Sequence, residues 1–282
     1  MTPGLPLCSS PAAYGLLSDQ INGIESTDAL LAGAVAISLH QMPNVSLAQV
    51  DRTIQGYADN VRKRVRGAQP QAILAHLHEY LFDELGFAGN RDDYYNARNS
   101  YLPAVLETKR GLPITLSLLY KLVARRLGVR VHGIGLPGHF IAAVETGETG
   151  SPAVMLVDPF NGGRAITPDE VHERLRDNFG PELELTEEMF RPVSNLHWLT
   201  RMLQNLLHVF GRHDRFADVA AMLEMEMLLW PTQCHLQRDL GLVLARIGMS
   251  RPASAWLCSY LKNNPDDPQE VDLKQLLAVL GT

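Results

Sequence analysis

Three positions carry the chemistry this sequence could perform, and one of the three holds no reactive group. Arg110-Gly111-Leu112-Pro113-Ile114-Thr115, continuing from Leu116 to Gly128, reads as an amphipathic helix that starts after a glycine. His139 stands in Pro137-Gly138-His139-Phe140 within an apolar strand pattern, and Asp158 closes the next strand in Leu156-Val157-Asp158-Pro159-Phe160. A nucleophile at a helix N-terminus, with a His and an Asp on adjacent strands, is the layout that stabilises a thiolate through the helix dipole and an imidazolium. Here the imidazole and the carboxylate are present, but the helix opens on Pro113. Proline suits the first helical turn, where its missing N–H would have no intrahelical partner. The helix start is therefore kept while ordinary thiol chemistry is excluded.

A substitute nucleophile would have to be Thr115 or Ser117. Two and four residues beyond Pro113, they point roughly 200° and 40° away around the helix, with Ser117 about 6 Å along the axis. Ser117 is the better directed, and it would need His139 within hydrogen-bond reach. Cys8 arriving from the N-terminal stretch is a more remote option. His139 has two readings: a strand histidine held by Asp158 as a structural pair, or a ligand-binding group. Asp158-Pro159 also suits a turn initiator, and Asn161-Gly162-Gly163-Arg164 a turn whose N–H groups or Arg164 would bind an anion.

The elements that must position these groups follow from periodicity. Residues 1–26 are rich in Pro, Gly and Ser and read as a loosely ordered arm. Helices are predicted from Asp28 to His40, from an N-cap at Ser46 through Val65, and from Gln71 to Leu85 with Gly86 as the stop signal. A polar loop from Gly89 to Ser100, holding Tyr94 and Tyr95, leads into a short helix over Leu102 to Thr108. Strands are predicted over 129–136, 139–146 and 153–157, the last two separated by the turn Gly147–Gly150. The expected fold class is thus α+β, an antiparallel meander packed against helices. Beyond Thr200 the pattern repeats every 34 residues: Pro231 aligns with Pro265, Leu206 with Leu240, Phe210 with Leu244, Val219 with Ala253 and Leu223 with Leu257. That is the period of tetratricopeptide helix pairs, with Asp272 to Leu280 as a capping helix. The expected domains are an arm (1–26), a helical and α+β domain (27–190) and a helical repeat domain (191–282), joined over Pro181 to Ser194.

Four ordered motifs carry a family resemblance: Arg98-Asn99-Ser100-Tyr101-Leu102, Arg110 to Ser117, Pro137 to Phe140, and Asp158-Pro159-Phe160-Asn161-Gly162-Gly163. Together they resemble the SirB-type transglutaminase-like proteins, bacterial proteins with a transglutaminase-like domain followed by tetratricopeptide repeats. The resemblance covers residues 28–280. It implies a Cys-His-Asp superfamily site in which Pro113 takes the cysteine position and His139 and Asp158 match the other two members. It also marks Arg98, Asn99, Tyr101, Asn161 and Arg164 as candidate binding residues.

Composition narrows the function classes. A net charge of −6 spread over 282 residues argues against nucleic-acid binding driven by phosphate neutralisation, and the basic run Arg62-Lys63-Arg64 reads as a solvated helix face. The apolar stretch Ala29 to Leu39 is shorter than the roughly 20 residues a bilayer requires. Cys8, Cys234 and Cys258 form neither a disulfide framework nor a zinc spacing, and the ten histidines show no metal signature, so no metal or cofactor and a cytoplasmic location are expected. Met222, Met225 and Met227 suit either repeat core or an adaptable groove. The resulting expectation is a non-catalytic regulatory or interaction protein with a protein or peptide partner. The alternative is a hydrolase or acyltransferase acting on amide bonds through Ser117 or Thr115.

Overall fold

The computed structural model describes residues 4–66, 69–147, 153–180, 182 and 186–281. They form two compact units, one of residues 45–198 and one joining 4–44 with 199–281.

In the unit of residues 45–198, α3 (Leu47–Arg62) turns one apolar stripe of Val50, Ile54, Ala58 and Val61 inward. α4 (Pro70–His78) continues into a wider π turn over Glu79–Glu84, and Gly86 ends it in the left-handed region with φ +70°. Two short parallel strands, β1 (Ala88–Gly89) and β2 (Arg110–Gly111), bracket the tyrosine loop and α5 (Leu102–Thr108). The central helix α6 (Pro113–Arg126) is buried around most of its circumference and lies against β3 (Val131–Leu136) and β4 (His139–Glu145). It therefore exceeds the amphipathic helix expected from its pattern. β5 (Val154–Asp158) and β6 (Arg164–Ile166) extend the sheet in the order β3-β4-β5-β6, antiparallel throughout. α7 (Pro168–Phe179) packs Val171 and Leu175 onto Ile134, Leu136, Ile141, Ala143 and Ile166 of the sheet.

β6 and α7 were absent from the sequence expectation. A complete capping box marks the start of α7: Thr167 accepts from the Glu170 N–H, Glu170 returns a bond to Thr167, and Pro168 sits at the first helical position. The expected turn Gly147–Gly150 and the joint from Pro181 to Ser194 fall partly outside the described residues.

The other unit is helical. α1 (Pro11–Ser18) and α2 (Thr27–Leu39) pack together, and α2 buries almost every residue. α8 (Asn195–Arg212) is divided between the units after Trp198, and α9 (Phe216–Leu229), α10 (Cys234–Arg246), α11 (Ser250–Asn263) and α12 (Glu270–Leu280) follow as successive neighbours. The backbone itself recurs every 34 residues. Asp214 and Gly248 both have positive φ, Arg215 and Met249 share φ/ψ near −84°/62°, and Trp230 and Asn264 share values near −131°/65° and −137°/67°. Leu206, Phe210, Leu240 and Leu244 are all fully buried.

Two expectations are corrected here. The described part of the arm is ordered: Ser10 caps α1 by accepting from the Ala13 N–H at 3.1 Å, Pro11 opens the helix, and Ala13 and Leu17 are fully buried. The boundary at 26/27 also moves, because α2 belongs with the C-terminal helices rather than with the sheet. Its uniformly apolar surface demands burial on all sides, and helical packing provides it.

Candidate functional site

β4 and β5 are adjacent antiparallel strands, and their ends bring His139 and Asp158 together. His139 Nε2 lies 3.0 Å from Asp158 Oδ2, with the imidazole partly accessible and the carboxylate fully buried. Asp158 is surrounded by donors. Arg174 Nη1 on α7 reaches the same oxygen at 2.8 Å and Asn161 Nδ2 at 2.6 Å, while the Asn161 backbone N–H bonds Oδ1 at 3.2 Å. Burial pushes this carboxyl up, but the bond and charge of His139, then Asn161 and Arg174, outweigh it and hold the group below the usual aspartate range. The carboxylate thus stays ionised, fixes the imidazole ring and caps the turn Pro159–Asn161. The triad-member and turn-initiator readings of Asp158 describe the same side chain.

The turn after Asp158 depends on glycine. Gly163 adopts φ +70°, and a Cβ there would collide with the Phe82 ring. On the other strand, Pro137-Gly138 forms the two-residue link between Leu136 and His139, with Gly138 at φ +62°.

His139 opens onto a cavity of about 740 Å³ whose wall includes Pro113 at the start of α6. Arg91, Tyr94, Tyr95, Phe160, Arg174, Asp177 and Phe179 are among its other lining residues. Arg91 stacks over the Phe160 ring at 5.3 Å and bonds Asn161, whereas Phe160 meets His139 edge-on. The position expected to hold the nucleophile therefore faces the same space as the imidazole, and a saturated ring fills it.

Neither substitute hydroxyl lines this cavity. Ser117 is fully buried and makes a long 3.5 Å bond to the Phe140 carbonyl. Thr115 is equally buried, and its hydroxyl has no hydrogen-bond partner. The angular estimate favoured Ser117, but a helix buried on nearly all sides gives that direction to the sheet rather than to the cavity. Cys8 belongs to the other unit.

The remaining binding candidates separate. Asn161 lines the cavity. Asn99 is buried and acts as a brace: its amide donates to the carbonyls of Asp93 and Tyr94 at 2.6 and 3.1 Å and accepts from Asn90 at 2.9 Å, and its backbone carbonyl accepts the Leu112 N–H at 3.1 Å. It ties the tyrosine loop to the start of α6. Tyr101 is core, Arg98 pairs with Glu107 on the surface, and Arg164 pairs with Glu170 in the first turn of α7; none of the three lines the cavity. Sequence reasoning missed Arg174 and Arg91. The Thr167-Pro168-Asp169-Glu170 cap was the available signal for the helix that carries Arg174. Arg91 has no comparable mark. Among the described residues no group of His, Cys, Asp and Glu is placed to hold a metal ion, and no helix is long and apolar enough to cross a membrane.

Comparison with known proteins agrees with this geometry. Residues 48–204 match the model of the transglutaminase-like superfamily. A UPF0162 protein of Xylella fastidiosa is 32% identical over 245 residues, covering 86% of each chain. A UPF0162 protein of Vibrio cholerae is 24% identical over 221 residues, covering 78% of this chain and 79% of its own. Human F-box only protein 21 is 27% identical over 239 residues, which are 74% of this chain and 37% of that protein. No solved structure matches. The matched segment contains the whole meander, α6 and the Pro113, His139 and Asp158 positions, and the chain belongs to the transglutaminase-like superfamily.

Proposed function

We propose that this protein is a non-catalytic binding protein that uses a transglutaminase-like domain and a helical repeat unit to engage a protein or peptide partner. The observation that carries this reading is the wall of the His139 cavity: Pro113 occupies the helix start, and no Ser, Thr or Cys is among the lining residues. A His–Asp pair can orient and accept protons, but covalent acyl transfer needs an attacking atom. What remains is a half-open pocket with an imidazole, two guanidinium groups and several aromatic rings, suited to hold a ligand. The 34-residue recurrence supports a tetratricopeptide-like array, an architecture whose helix faces receive extended peptides. The resemblance to SirB-type proteins points to a regulatory role. The segment also recurs as 37% of a longer human protein, as an interaction module would.

The test is hydrolysis and acyl transfer on amide and ester substrates by the purified full chain, beside His139→Ala. No turnover above buffer is expected from either protein. Turnover that disappears in His139→Ala would sink the reading and show that the His139–Asp158 pair is catalytic.

A further inference from the structure

Glu224, on α9, is fully buried, and its partners come from the far end of the same unit. The Leu7 N–H donates to Oε1 at 2.8 Å, the Cys8 N–H to Oε1 and Oε2 at 3.0 and 3.1 Å, and the Ser9 N–H and hydroxyl to Oε2 at 2.8 and 2.9 Å. Three consecutive backbone N–H groups and one hydroxyl thus converge on a single carboxylate. This recognises a main-chain shape and one hydroxyl, and leaves the remaining side chains to be chosen by packing. Leu5, Leu7 and Cys8 lie against the apolar cluster that contains Leu223, Leu240 and Trp256, and Cys8 Sγ is 4.0 Å from Met249 Sδ. The cluster is built from α9, α10 and α11, the helices whose backbone repeats every 34 residues. Trp256, in the same cluster, buries its indole N–H without an acceptor.

We propose that this face of α9–α11 is a peptide-binding groove that residues 5–9 occupy as an intramolecular ligand, and that its ligand in trans is a short peptide of the Leu-Pro-Leu-x-Ser kind bound in the same bent conformation. The inference rests on the interaction reading above and adds to it a site, an anchor and a ligand class. Tethering keeps the local segment at an effective concentration on the order of millimolar, so a free peptide has to compete with it. The groove is consequently self-occluded until the segment is lifted.

Cys8 reports that lifting. Burial, then the carboxylates of Glu224 and Asp218, push its thiol up to about 11, so the docked group resists alkylation at neutral pH. In the full chain carrying Cys234→Ser and Cys258→Ser, Cys8 is the only thiol. A synthetic peptide of residues 4–10 with Ser in place of Cys8 is expected to raise its alkylation rate saturably, by about fivefold at millimolar concentration, whereas a scrambled peptide leaves it unchanged. Glu224→Gln should raise the basal rate about tenfold, the loss of a charged acceptor, and weaken the peptide's effect. Two outcomes overturn the groove: alkylation that proceeds only at the rate of global unfolding and ignores the peptide, or equal acceleration by the scrambled peptide. The peptide experiment retains Glu224 and stands alone if the Gln variant does not fold. Turnover at His139 would overturn the non-catalytic reading and leave this result intact, and an inert peptide would do the reverse.

Discussion

Asp158 and Glu224 are both fully buried carboxylates, one in each compact unit, and they are satisfied by different balances of side-chain and main-chain donors. Asp158 is compensated mainly by side chains, an imidazole, a guanidinium and an amide, with one backbone N–H from Asn161, all drawn from within nineteen residues of it in sequence. Glu224 receives backbone N–H groups and one hydroxyl from more than two hundred residues away. A carboxylate bonded mainly by side chains fixes the orientation of an imidazole ring that lines a cavity. One filled by main-chain donors clamps a segment of any compatible sequence. The first arrangement belongs to the pocket proposed to bind without catalysis, and the second to the groove proposed to receive a peptide.

The largest expected effect breaks the first arrangement. Asp158→Ala leaves Arg174 and His139 without their buried partner and should cost about 3–5 kcal/mol in urea unfolding. Its charge also sets a pH limb. The folded carboxyl sits below the unfolded value of about 3.9, so its stabilisation is complete above that value and is lost as pH falls through the lower folded value. Asp158→Asn should flatten this acid limb in a pH series of unfolding midpoints. If the variant follows the native acid profile, Asp158 is not the organising charge.

The helical unit offers the apolar counterpart. Leu240→Ala should cost about 2–5 kcal/mol, because Leu240 is fully buried in the cluster of α9–α11. A loss below about 0.5 kcal/mol, the range of surface sites, would remove the packing argument for the repeat. Next in size, Pro113→Cys tests whether the site keeps its geometry without its chemistry. A thiol at the start of α6 beside His139 should alkylate about ten- to thirtyfold faster than a free cysteine at neutral pH, the gain when a thiol pKa near 8.5 falls to 7 or below. An inert thiol would show the dyad to be misdirected. The smallest effect is expected at Thr115→Val. Removing a buried hydroxyl that has no partner should be neutral or stabilising, within about 1 kcal/mol by thermal unfolding.

How far the sequence could be read differs between the same two regions. Pro137-Gly138-His139 and Asp158-Pro159 announce themselves through turn residues next to polar groups in apolar strands, so the dyad was legible. α7 was not, although its capping box stood in plain view, because Arg174, its contribution to the site, lies beyond the cap on a mostly polar helix. The direction of Ser117 misled for a different reason. Helical geometry specifies an angle around the axis, but burial of most of the circumference of α6 decides what each angle meets.

From the sequence alone came the absence of an attacking group at Pro113, the meander and the 34-residue period, since each is written in residue identities or local spacing. Tertiary structure alone decided that Asp158 is shared with Arg174, that Thr115 and Ser117 face the interior, and that residues 7–9 bond Glu224. Such pairings join segments whose local patterns are independent of each other. They exist only once folding has removed water and forced each buried charge to find a donor.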